Sequence, residues 1–228
     1  MSANPPPPTP RPSRAAERPR PPRPQPPSRE QIAALPPFAP LPLAHIHRVN
    51  SAQAAAQAAG QIRRHAWLGF DTESKPTFHK DERSTGPHTL QLASADAAWV
   101  FQLHQGDCLA LALELLADAA LTKVGFGLDG DKRLIRERWG IEPQAVLDLD
   151  SAFRRQGYRQ SIGVKTAVAI VFGQCFTKSR KQSTTNWATP VLSEGQLRYA
   201  ANDAWAALRV AQGLGLVPAH DQGGAPPG

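Results

Sequence analysis

The sequence predicts an α/β domain, a mixed five-stranded sheet flanked by helices, preceded by a tail that does not fold. Three observations carry that prediction. Short apolar runs of strand length recur between residues 67 and 149, interleaved with segments whose alanines and leucines repeat at helical spacing. The first three runs follow one another without a helix between them, whereas the later ones alternate with helices, which is the pattern of a mixed sheet. The composition also changes abruptly: sixteen of the 23 prolines fall within residues 1–42, together with six arginines and only two acids. Such a segment has few apolar groups, so burial cannot offset the entropy of ordering it. Residues 1–42 are therefore expected to form a disordered, basic, polyproline-like tail, residues 43–217 the folded domain, and residues 218–228 a flexible C-terminus.

Within the domain, Asn50 or Ser51 can cap an Ala-rich helix that runs to about residue 59, where Gly60 closes it. Residues 67–70 form the first strand, and the polar, breaker-rich stretch 74–88 is a loop. Residues 89–93 and 98–103 are the second and third strands, with 95–97 as the turn between them. A leucine-rich helix spans 108–120, a fourth strand 122–127, and an amphipathic basic helix 131–139, ended by Gly140. A fifth strand at 145–149 is followed by a helix at 161–172, a basic loop over 177–185 and a last helix at 193–212. No internal repeat of solenoid period is present.

A formal net charge of +7 favours polyanionic partners. No apolar stretch approaches the length that spans a bilayer, and no apolar region of a secretory signal precedes the domain. A cytoplasmic, non-membrane location is expected. The tail is rich in arginine and poor in acids, as transit peptides are, but its prolines oppose the amphipathic helix such peptides need. Cys108 and Cys175 suggest neither a disulfide framework nor a zinc cluster and are expected as free thiols.

The chemistry-bearing residues are acids at the ends of core elements. Asp71 and Glu73 continue the apolar run 66–70, Asp131 follows the run 124–128, and Tyr199 and Asp203 share one face of the last helix. Carboxylates at such places are costly to bury unless something neutralises them. Two apart on an extended segment, Asp71 and Glu73 project to the same side of the sheet, while Thr72 faces away. Hard cations such as Mg²⁺ or Mn²⁺ take oxygen ligands and keep waters for a substrate. Carboxylate sites holding a pair of them cut phosphodiesters. Singly, each acid has a plainer reading: Asp131 as a helix cap, Asp203 as part of a solvated face. Jointly the pattern is far more specific.

These segments resemble the DEDD superfamily of 3′–5′ exonucleases, in particular its Werner-type and ribonuclease D-like group. The resemblance rests on residues 69–76 with Asp71 and Glu73, residues 123–132 with Asp131, and residues 197–204 with Tyr199 and Asp203, and it covers about 66–212. Tyr199 stands four residues before Asp203, as in the tyrosine branch. The histidine branch has a histidine five before the final aspartate, where this chain has Arg198.

The resemblance implies a ribonuclease H-like fold and hydrolysis with two Mg²⁺ or Mn²⁺ ions about 4 Å apart. In that scheme Asp71 bridges both ions, and Glu73 and Asp203 hold the one that binds the attacking water. Asp131 supports the ion facing the leaving oxygen, and Tyr199 orients the water. Asp129 is read as a neighbour in the turn. The implied partner is nucleic acid with a free 3′ end, with DNA favoured over RNA from the Werner-like look of residues 124–132 and 186–193. Lys178, Arg180 and Lys181, then Lys75 and Lys80, are candidates for phosphate contacts, and Trp187 for stacking on a base. Trp67, Trp99, Trp139 and Trp205 are expected in the core, and Lys132, Arg133, Arg136 and Arg138 on a solvated face. A non-catalytic binding module on the same fold, or an endonuclease, stays open at this point.

Overall fold

A computed structural model of the chain describes residues 23–77 and 82–218. Its centre is a six-stranded sheet built from β1 (Ile46–Val49), β2 (Trp67–Glu73), β3 (Thr89–Ala93), β4 (Ala98–Gln102), β5 (Thr122–Gly125) and β6 (Val146–Asp148). The strand order is β1-β4-β3-β2-β5-β6. β2, β3 and β4 form an antiparallel meander, while β1 joins β4, β5 joins β2 and β6 joins β5 in parallel. The sheet is mixed, as expected, with one strand more than the five expected. The extra strand, β1, is a four-residue edge with exposed His47 and half-buried Ile46 and Arg48, too short and too polar to announce itself locally. Its register against β4 makes it a strand.

The helices are α1 (Arg29–Ala33), α2 (Ala52–Ile62), α3 (Gly106–Ala117), α4 (Asp129–Trp139), α5 (Leu149–Arg155), α6 (Val164–Phe172), α7 (Arg180–Ser183) and α8 (Glu194–Gly213). Ile62 of α2, Leu115 of α3 and Ile135 of α4 are buried with Leu68, Phe70, Leu90, Leu92 and Phe101 of the sheet. On the other side α5, α6 and α8 bury Phe153, Val168 and Leu208 with Val124. Among the described residues no helix is long and apolar enough to cross a membrane.

Several boundaries differ from the sequence reading for identifiable reasons. Ser51 caps α2, its Oγ accepting from the Ala54 amide at 3.2 Å, but Gly60 does not close the helix. Gly60 has open space around it, and one further half-turn buries Ile62 completely, which outweighs a glycine penalty of about 1 kcal/mol. α5 was not expected. It begins where the Asp148 carboxylate accepts from the Asp150 amide at 3.0 Å. α6 starts at Val164, after Gly163, and α7 interrupts the basic loop, capped by Ser179. Gly140 ends α4 in the left-handed conformation, φ 68°, as expected.

The tail expected to reach residue 42 is corrected at its distal end. The Pro36 carbonyl accepts from the Cys175 amide at 2.8 Å, and the Phe38 amide donates back to the Cys175 carbonyl at 3.0 Å. The Leu41 amide donates to Asn202 Oδ1 at 2.8 Å, and Leu41 is buried. Phe38 packs against Phe172, Phe176 and Trp205, with ring centres 5.3 to 6.0 Å apart. A phenylalanine with aromatic neighbours and paired backbone groups supplies what proline-rich sequence by itself lacks. Residues 1–22 of the expected tail and 219–228 of the expected C-terminal end lie outside the described residues.

Candidate active site

The site forms where the end of β2 meets the middle of α8. Strand alternation sends Gly69, Asp71 and Glu73 to the α8 side of the sheet, and Leu68, Phe70 and Thr72 to the other. α8 starts at Ser193, whose side chain accepts from the Gln196 amide while the Gln196 side chain returns a bond to the Ser193 backbone. A methyl group at Gly69 would collide with the Ala204 carbonyl, so glycine there lets α8 lie directly on β2. Asp203 thereby reaches Asp71.

Ligand oxygens of Asp71, Glu73 and Asp203 all lie within 4.8 Å of one another. Asp203 is only 5% exposed, and neither of its oxygens has an aligned hydrogen-bond donor. Burial, followed by the charges of Asp203, Glu73 and Asp131, pushes the Asp71 carboxyl well above the usual range. Burial and the Asp203 charge push Glu73 up to about 8. Burial lifts Asp203 to about 6, and the Lys178 ammonium restrains the rise. Carboxylates crowded in this way favour a cation between them. An all-oxygen donor set with no sulfur or imidazole fits a hard divalent ion.

The fourth acid is held differently. Asp131, on α4, lies on the side of β2 to which Thr72 points, and its Oδ1 accepts from the Thr72 hydroxyl. The hydroxyl that faces away from Asp71 and Glu73 thus tethers the remaining carboxylate to the same strand. Asp131 stands outside the group of three, yet its charge raises both Asp71 and Glu73. The turn that delivers it is fixed by Asp148, which accepts from the Gly127 and Leu128 amides at 3.2 and 2.9 Å. Sequence reasoning missed Asp148, as it missed α5, whose N-terminus Asp148 caps. Asp129 was expected as a neighbour in the turn; it is instead the first residue of α4, pointing outward to Lys132 at 2.8 Å.

Tyr199 sits one helical turn before Asp203. Burial and the Asp203 charge push its hydroxyl up to about 12, so it is protonated at neutral pH. Lys178 is the second residue whose role sequence reasoning understated. Its Nζ lies 2.5 Å from Asp203 Oδ2 and 5.2 Å from the Tyr199 ring centre. It belongs to the acid cluster itself, in addition to the cleft rim where it was expected.

Of the other expected phosphate contacts, Lys75, Arg180 and Lys181 are exposed. Lys80 lies outside the described residues. The stacking role expected of Trp187 is corrected: it is 1% exposed, packed among Leu192, Leu197 and Ala200 and tilted against Tyr199. A ring without a free face cannot receive a base, and Trp187 instead backs the tyrosine. A cleft of about 380 Å³ runs along Asp71, Phe126, Lys165 and Asp203, and one of about 450 Å³ opens between Phe38, Lys178 and Tyr199.

Residues 46–217 match the sequence profile of 3′–5′ exonucleases. The chain belongs to this family. A 3′–5′ exonuclease of Arabidopsis thaliana is 30% identical over 158 residues, covering 67% of this chain and 54% of its own length. Ribonuclease D of Granulibacter bethesdensis is 30% identical over 158 residues, covering 68% of this chain and 38% of its own. The chain thus spans about half the length of the first relative and less of the second. The EXO domain of Aedes aegypti Nibbler superposes with a TM-score of 0.64 at 22% identity, over 76% of this chain and 88% of that domain. At that identity the likeness is one of fold, and the fold is the ribonuclease H-like one that the family motifs imply.

Proposed function

We propose that the chain is a two-metal-ion 3′–5′ exonuclease. In this reading it hydrolyses phosphodiester bonds from the 3′ end of nucleic acid, DNA in preference to RNA, and releases nucleoside 5′-monophosphates. The observation that carries the reading is the convergence of Asp71, Glu73 and Asp203 within 4.8 Å, with Tyr199 on the same helix face as Asp203. Asp71, Glu73 and Asp203 would hold one Mg²⁺ or Mn²⁺ ion, and Asp71 with Asp131 a second. Bound there, the ions would neutralise charge developing on the phosphate and supply a water that is nucleophilic at neutral pH.

The chain's own residues do the rest. A Tyr199 hydroxyl that stays protonated donates a hydrogen bond, so it orients a water oxygen and does not take its proton. Thr72 holds Asp131 in place from the opposite side of β2. Lys75, Arg180 and Lys181 offer exposed positive charge to the phosphate backbone. The DNA preference is supported by the Werner-like residues 124–132 and 186–193. The match to a ribonuclease D makes RNA the necessary comparison substrate.

The test uses 5′-labelled single strands and 3′-recessed duplexes of DNA and RNA, with Mn²⁺, Mg²⁺ or EDTA. A ladder shortening from the 3′ end, dependent on metal and faster on DNA, is the expected result. Asp71→Ala should reduce cleavage by ~10³-fold or more with the fold intact. A clean Asp71→Ala preparation that still shortens the strand would overturn the assignment.

A further inference from the structure

Lys178 occupies a place that a surface lysine does not. Its ammonium lies 2.5 Å from Asp203 Oδ2, and Asp203 is buried on α8. That same aspartate is one of the three acids whose oxygens converge within 4.8 Å. A divalent cation bound among those oxygens would share Asp203 with the ammonium and repel it at short range, where the surroundings screen poorly. With the ammonium on Oδ2, cation and ammonium compete for the charge of Asp203, and each weakens the other's hold.

The segment carrying Lys178 suits an exchange of partners. Its main chain is anchored on one side by buried Phe176 and on the other by the Ser179 cap of α7. Only the flexible four-carbon side chain need move. Lys178 borders both clefts, so its ammonium has open space to either side of Asp203.

We propose that Lys178 is an internal counter-ion of the acid cluster: a divalent cation must displace it from Asp203, and the displaced ammonium then pairs with the substrate phosphate. This rests on the metal-dependent reading above, and the experiment separates the two. Mn²⁺ binding is measured on the full chain without nucleic acid, by electron paramagnetic resonance, for wild type, Lys178→Met, Lys178→Arg and Asp203→Asn. Thermal melting is followed in EDTA and in saturating Mn²⁺.

Lys178→Met should bind Mn²⁺ about tenfold tighter or more, the scale of a close ion pair removed from competition. It should also melt below wild type in EDTA, with the gap narrowing in Mn²⁺. Lys178→Arg, which keeps the competing charge, should stay at or below wild-type affinity, and Asp203→Asn should bind weakly. Should Lys178→Met not fold, Lys178→Gln gives the same comparison. Affinity in the neutral variant equal to or weaker than wild type would overturn the counter-ion role while leaving the metal centre standing. A wild-type protein that binds no Mn²⁺ would overturn the metal centre and the counter-ion together.

Discussion

Lys123 and Lys178 are both withdrawn from water, and they respond in opposite directions. Lys123, in β5, is fully buried; its Nζ donates to the Leu115 and Asp118 carbonyls at 3.2 and 2.7 Å, at the C-terminal end of α3. Burial lowers its pKa to about 8, against a partial upward pull from Asp118. Burial would lower Lys178 too, but the charges of Asp203 and Asp71 outweigh it, and its pKa is raised. Helix-end carbonyls are dipoles and solvate an ammonium incompletely, whereas a cluster of anions over-compensates it. A buried charge by itself therefore marks architecture, while a surplus of the opposite charge around it marks chemistry.

The contrast can be broken most severely at Asp203. Asp203→Asn removes the partner of Lys178 and one of the three converging acids, so cleavage should fall by ~10³-fold. An NMR titration should show the Lys178 amine returning toward an ordinary lysine. Near-wild-type cleavage would take Asp203 out of the site.

The next effect concerns what holds Lys178 in place. Phe38→Ala empties the aromatic contact with Phe172, Phe176 and Trp205 and should cost about 1–3 kcal/mol in denaturant unfolding. The Phe38 amide donates to the Cys175 carbonyl three residues before Lys178, so loosening this segment by removing the ring should drop cleavage by roughly tenfold, as for a residue supporting ligands. Stability lost with full activity would confine residues 36–41 to a structural role.

For Lys123 the signature is pH dependence. Its folded pKa of about 8 lies below the unfolded 10.5, so unfolding takes up a proton between those values and stability rises with pH across them. The favourable contribution is complete above 10.5 and is lost as pH falls through about 8. Lys123→Met should therefore flatten the stability curve in that window by about 1–3 kcal/mol relative to wild type. Parallel curves for the two proteins would show that the carbonyls solvate Lys123 fully.

The smallest effect belongs to fully solvated charge. Arg180→Ala with Lys181→Ala should leave stability within about 0.5 kcal/mol. The salt dependence of nucleic-acid binding should shallow by about one to two units of slope. An unchanged slope would remove both from the substrate path.

These contrasts also show what could be read before folding. Asp71 and Glu73 were legible because a strand's period of two places them on one side whatever surrounds them, and Tyr199 with Asp203 because a helix stacks residues four apart. Gly140 and Ser51 were legible as end signals for the same local reason. Trp187 was misjudged because an aromatic in a loop reads alike whether its ring is covered or free, and Leu197 and Ala200 of α8 cover it. β1 was missed because four residues with mixed exposure become a strand only against β4.

By itself, the sequence determined the mixed α/β class and, for Asp71, Glu73, Tyr199 and Asp203, the side of the strand or helix on which each stands. All of these follow from backbone periodicity acting over a few residues. Only the tertiary structure decided that Asp131 is tethered by Thr72, that Lys178 enters the acid cluster, and that Phe38 turns the end of a proline-rich segment into part of the domain. Each is a contact between segments far apart in the chain. Such contacts form because burial brings unlike elements together and leaves their polar groups to find partners there, and no local pattern records which partner that will be.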